Sequence, residues 1–79
     1  MPVRILFFGA TADATGKRQM TIEPPEPSTS RNLFEHIVSK YPRLSSHRLL
    51  YSVNQRYASG NEIVSDGDEL AIFTAVSGG

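Results

Sequence analysis

Ser65-Asp66-Gly67-Asp68 followed by Glu69-Leu70-Ala71-Ile72-Phe73-Thr74 reads as a tight turn that launches a strand. Aspartate and glycine are turn residues: the short carboxylate can bond nearby backbone, and glycine accepts left-handed geometry. The six residues that follow alternate in a way that suits a pleated strand. Leu70 and Ile72 fall on one face, which marks it as the core face. Ala71 and Phe73 fall on the other. After Thr74 the chain has only Ala75-Val76-Ser77-Gly78-Gly79, with no further apolar period to pack.

Working outward from that strand, Val3-Arg4-Ile5-Leu6-Phe7-Phe8 is rich in β-forming residues and predicts the first strand. Arg4 points away from the core, and alternation puts Leu6 and Phe8 on its face. Gly9 to Gly16 is small and polar and is expected to be a loop with at most one helical turn. Arg18 to Glu23 alternates, with Met20 and Ile22 on one face, and predicts a second strand paired with the first. Pro24-Pro25-Glu26-Pro27 stops it, since proline has no N–H to give to a sheet. Thr29 can cap a helix, and Leu33, Phe34, Ile37 and Tyr41 form its apolar stripe, widened by Val38. Pro42 ends the helix near Lys40. Leu49 to Asn54 predicts a third strand, with Arg56-Tyr57 a short continuation after a turn.

The predicted order is strand, strand, helix, strand, short strand, strand. One helix laid on one mixed sheet is the compact way to bury these faces. The expected class is α+β, with a β-grasp (ubiquitin-like) sheet whose first and last strands lie parallel at its centre. Residues 1–74 form the domain and 75–79 a tail. No repeat or second domain is visible.

Composition excludes several classes. A chain of 79 residues is one domain, with a stability of about 4–12 kcal/mol at ordinary per-residue values. So small a core favours a carrier or binding module over a free-standing enzyme. Lys and Arg number 8, and so do Asp and Glu. The basic residues are scattered, so nucleic acid is not an expected partner. Without cysteine there is no disulfide, thiolate nucleophile or Cys-ligated metal. No run is long enough for a signal peptide core or a membrane span, and the cytoplasm is the expected location.

Candidate chemistry is sparse. His36 on the helix and His47 in a loop have no third ligand at suitable spacing, so both are expected on the surface, and no metal or other bound cofactor is expected. Asp66, Asp68 and Glu69 flank Gly67 as turn residues. Gly9 to Gly16 lacks the spacing of a phosphate-binding loop. If the first and last strands are neighbours, Phe8 and Phe73 stand side by side on the sheet face that the helix leaves open, and an exposed apolar patch commonly marks a protein interface. The end Gly78-Gly79 lacks Cβ atoms. It can thread a narrow channel and deliver a carboxylate into another protein's active site, although two terminal glycines also fit a frayed end.

Ile5-Leu6-Phe7-Phe8-Gly9, Val53-Asn54-Gln55, Asp66 to Phe73 and Val76-Ser77-Gly78-Gly79 together resemble the MoaD family, the small subunits of molybdopterin synthase. The likeness spans the chain. It implies a sulfur carrier that is not catalytic alone. A ubiquitin-activating-type, MoeB-like adenylyltransferase would spend ATP to adenylate Gly79. A sulfur donor would then convert the acyl-adenylate to a thiocarboxylate. The tail, with Val76, Ser77 and Gly78 serving access, would enter a MoaE-like large subunit in a heterotetramer and give sulfur to precursor Z. The resemblance adds Tyr57 to Phe8 and Phe73 as partner-binding residues. Two positions depart from the family: Thr74-Ala75 stand where Pro-Pro is usual, and Ala12 where an arginine is common. A ThiS-like carrier for thiamine thiazole synthesis, a protein-modifying ubiquitin-like protein and a non-catalytic β-grasp interaction module remain as alternatives.

Overall fold

The computed structural model describes residues 2–23 and 28–75. The proline-rich stop at 24–27 and the tail residues Val76, Ser77, Gly78 and Gly79 lie outside them. Strand β1 (Val3–Phe7) pairs antiparallel with β2 (Gln19–Ile22) and parallel with β7 (Glu69–Thr74). Strand β4 (Leu49–Val53) flanks β7 antiparallel, and β5 (Arg56–Tyr57) closes that edge. The sheet order is β2-β1-β7-β4-β5, so the first and last strands are central and parallel, as the β-grasp reading requires. A second ribbon joins β3 (Ser28–Thr29) to β6 (Ile63–Val64).

Alternation decides which face is covered. Val3, Ile5 and Phe7 of β1 and Leu70 and Ile72 of β7 are buried, while Arg4 is exposed and Leu6 only half-buried. Helix α2 (Ser30–Lys40) lies on the buried side and contributes Leu33 and Ile37 to the same cluster. Phe34, Met20, Ile22 and Val53 pack on its border, and Phe34 stacks on Tyr51 with ring centroids 4.3 Å apart. The Thr29 hydroxyl accepts the Asn32 N–H at 3.2 Å and caps the helix. Pro42 then opens a 3₁₀ helix (Pro42–Ser46) that buries Leu44.

Residues 9 to 16 correct the sequence reading: they hold a six-residue helix, α1 (Ala10–Thr15), rather than a loop with one turn. Three alanines supply helix propensity, and Gly16 ends the helix at φ 74°, the left-handed cap that glycine adopts most easily. Thr11 is wholly buried. Its hydroxyl lies 2.7 Å from the Phe8 carbonyl and 3.0 Å from that of Ile72. This polar contact ties α1 to the junction where β1 and β7 run side by side. The β3–β6 ribbon and the 3₁₀ helix were not foreseen either.

Glu62 organises the entry to α2. Its carboxylate accepts from the Ser30 hydroxyl (2.6 Å), from the Ser59 N–H and hydroxyl (2.7 and 2.9 Å) and from the Gly60 N–H (3.0 Å). Those bonds, the Ser30 hydroxyl's first and the Ser59 N–H's next, hold the Glu62 carboxyl far below its ordinary pKa of 4.5. A carboxyl depressed by folding stabilises the fold above its unfolded value and loses that contribution as pH falls through its folded value. Denaturation midpoints should therefore decline as pH drops below about 4.5, and Glu62→Gln should make that decline shallower. A urea titration at several pH values with the same acid limb in both proteins would contradict this.

Candidate functional site

The open sheet face gathers the sequence-predicted partner residues near the exit of β7. Register puts Leu50 opposite Phe73 and Ser52 opposite both Ala71 and Tyr57. Tyr57 is 77% exposed and leans over the half-buried Phe73, with ring centroids 5.9 Å apart and planes tilted by 55°. Phe8 is 52% exposed. Its N–H donates to the Ile72 carbonyl at 3.1 Å, so it sits beside β7 at the end of β1, just past the paired strand. Phe8 borders a hollow of its own with Leu6, Ala12 and Arg18. Tyr57 and Phe73 thus form one ring pair, and Phe8 stands apart from it on the other side of β7.

Leu50 is the functional candidate that sequence reasoning missed. It is 40% exposed beside Phe73. Alternation within Leu49 to Val53 could have placed it, because Tyr51 and Val53 face the core and leave Leu50 and Ser52 outward. Ala71 is buried on this side and Leu6 half-buried, so the exposed apolar surface comes from Leu50, Tyr57 and part of Phe73, with Phe8 beyond them. Its lower end is polar. Arg4 and Glu69 are cross-strand neighbours in the β1–β7 register and form an ion pair at 2.8 Å. An exposed pair of this kind adds little stability, but it sets a charged margin to the apolar area.

The turns at that margin are locked together. The Asn54 side-chain carbonyl accepts the Glu69 N–H (3.0 Å), the Asn54 N–H donates to the Glu69 carbonyl (2.9 Å), and the Asn54 amide donates to Asp68 (3.1 Å). Asp68 also accepts the Ser65 N–H at 2.8 Å. Asp68 is therefore turn chemistry, as expected, and Glu69 serves the ion pair. His36 and His47 are both exposed. Among the described residues no group of three or more histidines, aspartates or glutamates is arranged to hold a metal ion, and no helix is long and apolar enough to cross a membrane.

The described strand β7 ends at Thr74, and the next N–H, that of Ala75, donates to the Arg48 carbonyl at 2.9 Å. This bond extends the β4–β7 side of the sheet by one residue. The chain is thus held beside the apolar face through Ala75, the first of the five residues expected as tail. Gly78 and Gly79, singled out as the chemical end, lie beyond the described part.

The chain is similar over nearly its full length to proteins of known description. The molybdopterin synthase sulfur carrier subunit of Mycobacterium tuberculosis is 35% identical over 80 residues, covering 98% of this chain and 96% of that one. The Arabidopsis thaliana protein of the same description is 32% identical over 79 residues, covering 98% of this chain and 82% of that one. Among solved structures, SAMP1 from Haloferax volcanii superposes with a TM-score of 0.84 at 25% identity, over 100% of both chains. The family model described as ThiS matches residues 5–79, from the middle of β1 through Gly78-Gly79. So little of the sequence falls outside that match that the chain belongs to the ThiS family.

Proposed function

We propose that this protein is the sulfur carrier subunit of a molybdopterin synthase. The observation that carries the reading is the full-length similarity to a curated sulfur carrier subunit at 35% identity, within a family match that includes both tail glycines. The Gly79 carboxylate attacks the α-phosphate of ATP on an activating enzyme and releases pyrophosphate. A carboxylate is a poor acyl donor, and the adenylate gives it a leaving group. A sulfur nucleophile from the donor then expels AMP, and the chain ends in a thiocarboxylate. The absence of cysteine suits this sequence of steps, since no thiol of the carrier can divert the acyl group.

The large synthase subunit docks on the face of Phe8, Leu50, Tyr57 and Phe73, and the tail reaches its active site, where sulfur passes to precursor Z. The pairing into a heterotetramer, the MoeB-like activating enzyme and the cytoplasmic location belong to the same proposal. Expression in cells that lack their own molybdopterin synthase carrier tests it. Restored molybdoenzyme activity supports the reading. Rescue of a thiamine-thiazole carrier mutant in its place would favour the ThiS-like alternative. The likeness to SAMP1 favours a second reading, a protein modifier, which would leave isopeptide conjugates on lysines of other proteins.

A further inference from the structure

The turn between β4 and β5 holds two residues in left-handed geometry, Asn54 at φ 50° and Gln55 at φ 70°. Such a turn joins a tight hairpin, and its second position usually carries glycine. Left-handed geometry costs about 1–2 kcal/mol for an ordinary L-residue, although asparagine tolerates it by local hydrogen bonding. Asn54 is further held by three longer-range bonds to Asp68 and Glu69, two through its side chain and one through its backbone N–H. Gln55 has none. It is exposed, and its side-chain amide makes no hydrogen bond to the described residues. The fold would be better served by glycine there.

What a glycine could not supply is a side chain at that place. Gln55 borders two hollows at once. One is formed with Ser52, Tyr57 and Phe73, the other with Arg4, Asn54, Gly67 and Glu69. It therefore stands where the apolar area meets its charged margin, with a donor and an acceptor that bond none of the described residues. Strained backbone kept without a structural return is a reason to look for function.

We infer that Gln55 is a specificity-determining residue of the docking face, its amide hydrogen-bonding a polar group of the partner that covers Tyr57 and Phe73. The occupant is the large synthase subunit, so the inference rests on the proposed function. Its contact surface presents an apolar patch to the ring pair and a backbone amide or hydroxyl at the rim, opposite Gln55. The turn fixes where the Gln55 side chain starts, and its rotamers are ordered on docking, a cost offset only by a partner that presents a matching polar group.

The test uses the full chain and the purified large subunit, with binding measured by calorimetry and unfolding followed by heat. Gln55→Gly should raise the unfolding temperature because it relieves the turn. It should also weaken binding about three- to tenfold, the loss of one neutral hydrogen bond. Gln55→Asn, which keeps an amide but shortens its reach, should also weaken binding. Phe73→Ala serves as the reference for the face itself. If Phe73→Ala weakens binding while Gln55→Gly binds as tightly as the native chain, the docking face stands and the role of Gln55 is overturned. If neither change affects binding, the docking face is in the wrong place and the inference falls with it.

Discussion

Deleting Gly79, adding one residue after it, or replacing Gly78 with valine will each abolish sulfur loading or transfer, and all three variants will unfold at the native temperature. The reason lies in where the chemistry is. On the proposed mechanism the carrier offers one reacting group, the terminal carboxyl, and the partner's active site fixes where that group must arrive. One added residue in an extended tail moves the carboxyl by about 3.3–3.6 Å. Misplacement by roughly 1 Å can already cost on the order of a hundredfold in rate. Deletion shifts the group by a similar amount the other way. Gly78→Val leaves the carboxyl in place but puts a branched side chain where the tail must pass through a narrow channel. All three changes leave the buried core of the described residues, from Val3 to Ile72, untouched. Complementation assays and thermal unfolding on the three variants check both halves. A truncated chain lacking both glycines that still supported molybdopterin formation would end the carrier mechanism.

The second large effect is expected at Phe73. Phe73→Ala should weaken binding to the large subunit by about 1–3 kcal/mol, the range of an aromatic hot spot. That corresponds to roughly five- to 150-fold in affinity. The ring is half-buried under Tyr57 within the free protein, so part of its environment is already dry. An interface that closes over it can exclude the remaining water, the setting in which aromatic anchors contribute most. Some loss of stability will accompany the change because the Tyr57 contact is lost. Binding must therefore be measured well below the unfolding temperature, with the folded fraction checked by circular dichroism. Native affinity in a fully folded Phe73→Ala protein would remove Phe73 from the docking face.

The parts of the fold that were legible in the sequence are those where alternation is strong. Val3 to Phe7 buries and exposes residues in turn, whereas Glu69 to Thr74 alternates in residue type but buries Leu70, Ala71 and Ile72 together. The alternation of types was sufficient to place Phe8 and Phe73 on the face opposite the helix. The helix could be read from its apolar stripe and from the Thr29 cap. Ala10–Thr15 was obscured because its buried anchor is a threonine rather than an apolar residue, which leaves no hydrophobic period to see. The β3–β6 ribbon has two residues per strand, too short for any period. Alternation within Leu49 to Val53 could place Leu50 outward, but its position beside Phe73 comes from the β4–β7 register, a long-range property readable only once the strand order is known. The strain at Gln55 is a backbone dihedral, and Val53-Asn54-Gln55 carries no glycine to announce it.

If the proposed function holds, Gly79 carries the sulfur. Intact mass spectrometry of the native chain, after incubation with ATP, a ubiquitin-activating-type adenylyltransferase and a sulfur donor, tests it most directly. The expected result is a gain equal to the replacement of one oxygen by sulfur, mapped by fragmentation to the C-terminal residue and absent when ATP is withheld. An unchanged mass in a reaction that loads a control carrier, or sulfur found on any residue other than Gly79, would contradict it.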